Sequence, residues 1–168
     1  IVATEKCAAV CTRNPEIHLI NASAVHAYGA RALDHKPFRE GDSPMDGTDV
    51  FLHELITKWE HATQPAIQNG AIVTHLRIGV VLASEGGALV ETAKPFYWFV
   101  GGRHGSGRQI MSWITLRDLV KGIVFLLDNT EVNGPVNMVS PKPCTNLEFV
   151  QAIGSALRRP SFLPMPGA

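Results

Sequence analysis

A chain of 168 residues is long enough to bury a real hydrophobic core. Its 45% apolar and 18% charged residues are a globular balance that excludes a disordered polymer. Fifteen basic residues against fifteen acidic ones leave no net charge, so the basic surface of a sequence-independent nucleic-acid binder is not expected. The longest apolar runs, Gly122–Leu127 and Phe96–Val100, are too short to cross a bilayer, so no membrane partner is expected. Of the three cysteines, Cys7 and Cys11 stand four apart on a predicted helix and read as small buried hydrophobes. That usage fits a reducing, cytoplasmic compartment.

Helical and strand periods alternate along the chain, which predicts an α/β protein. A helix over residues 2–12 carries Ala3, Cys7, Val10 and Cys11 on one side and stops at Asn14-Pro15. Ile17–Ala22 reads as a short buried strand running into a loop with Ser23, Tyr28 and Gly29. Residues 30–48 read as a long polar loop. A helix then starts near Thr48, with Leu52, Leu55, Ile56 and Trp59 at amphipathic spacing, until Pro65 breaks it and Asn69-Gly70 closes it. Ile72–Ala83 follows as a strand with Ile72, Leu76, Ile78, Val80 and Leu82 at even positions.

After Gly86-Gly87 the pattern predicts an apolar helix to about Val100, a glycine-rich loop over 101–107 and a short strand at Ile110–Ile114. Thr115 with Asp118, and Thr145 with Glu148, are spaced as capping boxes. The first opens a helix with Leu116, Leu119, Val120, Ile123 and Leu127; the second opens one with Leu147, Val150, Ile153 and Leu157. Val136–Val139 is the strand between them. About three core strands joined by crossover helices amount to half of a doubly wound parallel sheet. A sheet of that size exposes a strand edge, which predicts self-association or pairing with a further segment.

The run GGRHGSGRQ, Gly101–Gln109, could cradle phosphate or simply turn the chain. It follows a helix and enters a strand, so it is not a dinucleotide fingerprint, and no P-loop lysine follows it. Ser23 falls at the carboxyl end of a strand, where open α/β sheets bind ligands. His26 nearby suggests a Ser-His pair, but no nucleophile elbow accompanies it, which excludes the hydrolase reading. None of the seven histidines (His18, His26, His35, His53, His61, His75 and His104) has metal-site spacing, so no metal is expected. Arg77 is a charge inside an apolar strand and needs either a structural partner or an anionic ligand.

The order of these pieces resembles the extended short-chain dehydrogenase/reductases. Asn21-Ala-Ser-Ala-Val-His-Ala-Tyr-Gly29 resembles their Ser-x-x-x-Tyr-Gly loop, and Leu76-Arg-Ile-Gly-Val-Val-Leu82 their sixth strand. Gly105-Ser-Gly-Arg-Gln-Ile-Met-Ser-Trp-Ile114 with Asp118 resembles their Gly-x-Gly-x-Gln segment, and Gly134-Pro-Val-Asn-Met-Val-Ser-Pro141 their last strand. Trp59-Glu60, the Gly-Ser-Gly-Arg-Gln run and Asn137-Met-Val-Ser-Pro141 are similar to the nucleotide-sugar epimerase-like subgroup. The match covers essentially the whole chain and implies its C-terminal portion of such a protein.

The resemblance implies a Rossmann-like doubly wound parallel sheet that binds NADP or NAD, with a small substrate-binding lobe. Residues 1–85 would be the second half of the NAD(P)-binding domain; residues 86–168 would form the substrate lobe plus the last strand and helix of the sheet. By the same alignment Ala22, Ser23, Ile78 and Gly79 line the nicotinamide side, Arg108 and Gln109 face the substrate, and Ser23 orients it. Three departures stand out. The family's Gly-x-x-Gly-x-x-Gly loop is not in this sequence, and Leu52 and Ile56 occupy the positions of its Tyr-x-x-x-Lys pair. Met111 replaces an arginine that commonly grips the sugar-nucleotide phosphate. The expected function is an NAD(P)-binding, epimerase-like oxidoreductase acting on a nucleotide sugar or related small molecule, with water or another side chain, Tyr28 being the candidate, as the substitute proton shuttle. The alternative is a non-catalytic dinucleotide-binding sensor or scaffold, and the expected partners are the small molecule, a second copy or the segment completing the sheet.

Overall fold

The computed structural model describes residues 1–28, 37–42 and 50–165. Gly29 and most of the expected polar loop at 30–48 lie outside the described residues. The chain divides into two compact units: Ile1–Gly79 with Val120–Met138, and Val80–Leu119 with Val139–Ala168.

The first unit is a parallel three-stranded sheet in the order β1-β2-β6. Its strands are β1 (Leu19–Ala24), β2 (Val73–Ile78) and β6 (Gly134–Met138). Ser23 lies opposite Arg77, and Arg77 opposite Asn137, so these three residues share one face of the sheet. β1 begins two residues later than the sequence predicts, because Leu19 is the first residue in register with β2. β2 is buried through residues 73–77, on both faces, as expected for a central strand of a parallel sheet. The even-position periodicity expected over 72–83 therefore does not mark an exposed face. The strand also stops at Gly79, whose N–H bonds Met138 O at 3.2 Å.

The helices of this unit include α1 (Val2–Arg13), α2 (Val50–His61) and α3 (Gln64–Gln68). Pro65 sits in the first turn of α3, and Gly70, with φ +87°, follows its end, as the sequence predicts. Ala8, Cys11, Ala66, Ala71 and Val73 form a core of small side chains. The buried face of α1 is Thr4, Ala8 and Cys11, whereas Ala3, Cys7 and Val10 are exposed. The expectation of a buried Cys7 is thus corrected: alanine and cysteine ring this helix, and a weak apolar contrast does not fix which stripe turns inward.

The second unit pairs β3 (Val80–Leu82) with β5 (Trp113–Thr115) in parallel, and β4 (Ile110–Met111) with β7 (Cys144–Thr145) antiparallel. The strand expected at 110–114 is thus two strands, each with its own partner. α4 (Ala88–Tyr97) ends three residues before Val100, where Phe99 takes φ +61°. Phe96 of α4 packs with Phe149, Val150 and Ile153 of α6 (Asn146–Leu157) in this unit's core. The glycines of the 101–107 loop serve close packing: a Cβ on Gly101 would strike the Phe96 ring, and one on Gly102 the Leu163 carbonyl.

Between β5 and β6 runs α5 (Leu116–Asp128), opened by the expected capping pair, with Asp118 N–H donating to Thr115 Oγ1 at 3.1 Å. Its buried residues are Leu119 and Leu126; Leu116, Val120 and Leu127, expected on the inner face, are exposed. This helix is amphipathic but buries only one edge of its apolar arc, so periodicity marks the face without marking the part of it that is covered. The second capping box is complete, with Glu148 N–H donating to Thr145 Oγ1 at 3.1 Å and Thr145 N–H to Glu148 Oε2 at 2.7 Å. Replacing Thr145 by alanine is expected to lower stability by about 1 kcal/mol, read from the thermal unfolding midpoint.

Candidate functional site

Arg77 fixes the site. Its guanidinium would be uncompensated inside the sheet, and α2 supplies the counter-charge. Arg77 Nε donates to Glu60 Oε1 at 3.0 Å and Arg77 Nη2 to Glu60 Oε2 at 2.9 Å, a bidentate ion pair. Both side chains are largely buried, 10% and 16% exposed. Of the two roles open to Arg77 in the sequence, the structure takes the structural partner.

Ser23 and Tyr28 close around this pair. Ser23 Oγ donates to Glu60 Oε1 at 2.5 Å, and the Arg77 guanidinium lies over the Tyr28 ring, 4.7 Å from its centroid. Tyr28 OH donates to Asn137 Oδ1 at 2.8 Å, and its ring stacks on Phe38 at 4.7 Å. Tyr28 is held at the end of a 3-10 turn, Val25–Tyr28, where His53 Nδ1 lies 2.9 Å from Ala27 O. Ser23 and Tyr28 are therefore brought to one cluster, and both are buried with their hydroxyl protons committed within the chain.

A second polar group adjoins the first. Trp59 Nε1 donates to Thr4 Oγ1 at 2.7 Å, and Thr4 Oγ1 donates to Asn21 Oδ1 at 3.2 Å. The buried His75 ring lies between Asn21 Nδ2, 3.4 Å from Nδ1, and Thr63 Oγ1, 3.3 Å from Nε2. The side chains of Trp59, Thr4, Asn21, His75 and Thr63 thus satisfy one another. The sequence does not mark Glu60, Asn21 or His75 as site residues. The usable signal was that Arg77 required an acid, but its distance in sequence to Glu60 hides the pairing.

The electrostatics follow from these contacts. Burial pushes the Glu60 carboxyl up, but hydrogen bonds from Arg77 and Ser23 outweigh it, and the group ionises below its ordinary 4.5. Burial penalises the charged form of Arg77, yet its contacts with Glu60 and Tyr28 raise its pKa above the ordinary value. For His75, burial lowers the pKa below 6.5; Glu60 opposes that shift and Arg77 adds to it.

The remaining expected residues are placed as follows. Ala22 and Ser23 lie in the last three residues of β1, opposite Leu76 and Arg77; Ile78 ends β2 opposite Ala24, and Gly79 follows it. Side chains alternate along β1, so exposed Ala22 lies on the sheet face opposite Ser23. Arg108 and Gln109 belong to the second unit. Arg108 is exposed, while Gln109 Nε2 donates to His104 O at 3.0 Å and Gln109 O accepts from Asn146 N at 2.8 Å, tying the glycine loop to α6. Met111 packs against the core of that unit. Leu52 and Ile56, at the Tyr and Lys positions of the resemblance, are half-buried and buried. Among the described residues no group of three or more acidic, histidine or cysteine side chains could hold a metal ion. No described helix is long and apolar enough to cross a membrane.

Two tests follow from the polar cluster. Arg77→Met strands the Glu60 carboxylate and is expected to cost about 3–5 kcal/mol, most of it recovered in the Arg77→Met/Glu60→Met double variant; denaturant titration of the three proteins checks this. Stability is also expected to fall with acidity in two stages. Below pH 6.5 the unfolded chain binds a proton at His75 that the native ring, with its lowered pKa, refuses. Below 4.5 the same holds for Glu60, whose contribution is present above its unfolded pKa and lost as pH falls through the lower native one. Thermal midpoints from pH 8 to about pH 3.5 measure both, and His75→Gln is expected to flatten the upper stage.

No protein-family model matches the chain. An epimerase family protein of Mycobacterium bovis is 46% identical over 151 residues, 88% of this chain and 48% of that protein. The epimerase family protein SDR39U1 of Bos taurus is 42% identical over 129 residues, 76% of this chain and 43% of that protein. The chain spans about half the length of the curated relatives it matches. Among solved structures, human epimerase family protein SDR39U1 (isoform 2) with NADPH superposes with a TM-score of 0.86 at 33% identity, over 98% of this chain and 55% of that one. The nucleoside-diphosphate sugar epimerase of Corynebacterium glutamicum gives 0.80 at 30% identity, over 97% of this chain and 35% of that one. With its Rossmann-type parallel sheet and these relatives, the chain belongs to the epimerase family of short-chain dehydrogenase/reductase proteins.

Proposed function

We propose that this protein binds a nicotinamide dinucleotide, NADPH or NAD, and that cofactor binding is the function its residues support best. The observation that carries the reading is the parallel pairing of β1 and β2, which puts Ser23 opposite Arg77 and Ala24 opposite Ile78, so that Ala22, Ser23, Ile78 and Gly79 all fall near the carboxyl edge of the sheet. The NADPH held by the human relative, similar over 98% of this chain, supports it. The small, exposed Ala22 leaves room for the approach of a flat ring, while the glycine-rich loop that would hold a pyrophosphate is not in this sequence. In the whole protein the nicotinamide supplies hydride chemistry. This chain contributes the edge against which the ring rests and the Glu60–Arg77 pair that keeps that edge rigid.

A second reading, an epimerase-like oxidoreductase, is favoured by Tyr28. Its phenol lies in the same buried cluster as Ser23, with the Arg77 guanidinium over its ring. The Corynebacterium relative supports a nucleotide sugar as substrate. Against turnover stand the apolar Leu52 and Ile56, which cannot exchange a proton, and the buried position of Tyr28.

The test is titration of the full-length protein with NADPH, followed by nucleotide fluorescence. Saturable binding is expected, weakened more than about tenfold by Ala22→Leu, since one extra branched side chain fills ring space. No response to NADPH or NADH would refute the binding proposal. NADPH consumption with a nucleotide sugar, abolished by Tyr28→Phe, would establish the second reading instead.

A further inference from the structure

Ser23, Arg77 and Asn137 form one row across the sheet, on the same face, and the donors of that row can be followed one at a time. Ser23 Oγ gives its proton to Glu60 Oε1. Arg77 Nε and Nη2 give theirs to the same carboxylate, and the guanidinium covers the Tyr28 ring. Tyr28 lies against Arg77 and Asn137, and a guanidinium has donors only. The phenol proton therefore goes to Asn137, 2.8 Å away at Oδ1. An amide nitrogen does not accept, so this bond also fixes how the carboxamide is turned. Oδ1 faces inward to Tyr28 and Nδ2 faces outward. Among the described residues Nδ2 has no hydrogen-bond partner, and it is open to solvent on a half-buried side chain. Of Ser23, Tyr28 and Asn137, only Asn137 has side-chain donors left for a ligand.

We propose that Asn137, rather than Ser23, orients the bound cofactor, its amide donating to the carbonyl oxygen of the nicotinamide carboxamide. The assignment rests on the cofactor reading above. Position is the first argument: β6 ends at Met138, opposite Ile78, so Asn137 stands one residue from the carboxyl edge. Rigidity is the second. The Asn137 backbone is held in register with Arg77, its N–H donates to Glu40 Oε1 at 3.0 Å, and its Oδ1 is held by Tyr28. Charge is the third. The Glu40 carboxylate beside Asn137 repels a phosphate or a carboxylate, so the acceptor that suits Nδ2 is a neutral carbonyl. In a nicotinamide dinucleotide that carbonyl is the carboxamide. The ring then rests toward Ala22 with its carboxamide turned to the face of Ser23, Arg77 and Asn137. Tyr28 acts as a positioning residue, because without its phenol the Asn137 amide is free to turn over and offer an acceptor instead.

The experiment is titration of the full-length protein with NADPH and two reduced analogues. The thionicotinamide analogue replaces the carbonyl oxygen by sulfur, a weaker acceptor; the acetylpyridine analogue keeps the carbonyl and loses the amide nitrogen. Wild type is expected to bind the thionicotinamide form about tenfold more weakly than NADPH, and the acetylpyridine form within about threefold of it. Asn137→Asp keeps an acceptor for Tyr28 and removes the donor, so the preference for carbonyl over thiocarbonyl should vanish with it. Tyr28→Phe lets the amide turn and should cut the preference to about threefold. The ratio between the two ligands is the readout, since a purely structural loss weakens both alike, and Tyr28→Phe decides if Asn137→Asp fails to fold. NADPH binding with no preference in wild type, or with a preference that both folded variants retain, overturns the role of Asn137 and leaves the cofactor reading standing. Wild type that binds none of the three ligands overturns both.

Discussion

A guanidinium in the middle of a parallel sheet must be neutralised by something within its reach, and the first unit is arranged around that requirement. Arg77 occupies a strand buried on both faces, so the acid has to come from a covering layer, and α2 delivers Glu60. The pair stays charged because each ion is stabilised by the other and by hydrogen bonds to Ser23 and contact with Tyr28. One ion pair thereby sets the distance from α2 to the sheet, the rotamer of Ser23 and the resting place of the Tyr28 ring.

That arrangement bears on chemistry. Dehydrogenases of this type are expected to move a proton with a tyrosine and a lysine on the helix after the fifth strand, and here the corresponding residues are Leu52 and Ile56. Ile56 instead packs as a buried apolar side chain. The polar groups that remain, Ser23 and Tyr28, spend their protons on Glu60 and Asn137. A rigid, satisfied network suits a surface that supports a bound ring better than one that exchanges protons, which is why binding is the reading favoured above.

The second unit is built on different terms. Its core is aromatic and aliphatic, and glycines at 101 and 102 are needed for close approach. The glycine-rich run that looks in sequence like a phosphate loop is therefore explained by packing against Phe96 and Leu163. Gln109, expected to face a substrate, ties that loop to α6 through His104 and Asn146. What this unit leaves over is aromatic surface at Tyr97–Phe99 and Phe162.

Strong local signals were legible in the sequence by itself. The order of helices and strands, both capping boxes, the breaks at Pro65 and Gly70 and the half-sheet of three parallel strands all rest on short-range chemistry, where a few neighbouring residues decide the outcome. The family segments, which depend only on order and spacing, were equally legible. Tertiary structure alone decided which stripe of α1 turns inward, because its apolar contrast is weak, and which edge of the apolar arc of α5 is covered. It alone divided Ile72–Ala83 at Gly79 and Ile110–Ile114 at Ser112, since a strand ends where its partner does. It alone joined Glu60 to Arg77 and drew Ser23 into their pair: a charge inside a sheet announces that a partner exists, but only the packing of a helix on that sheet determines which residue it is.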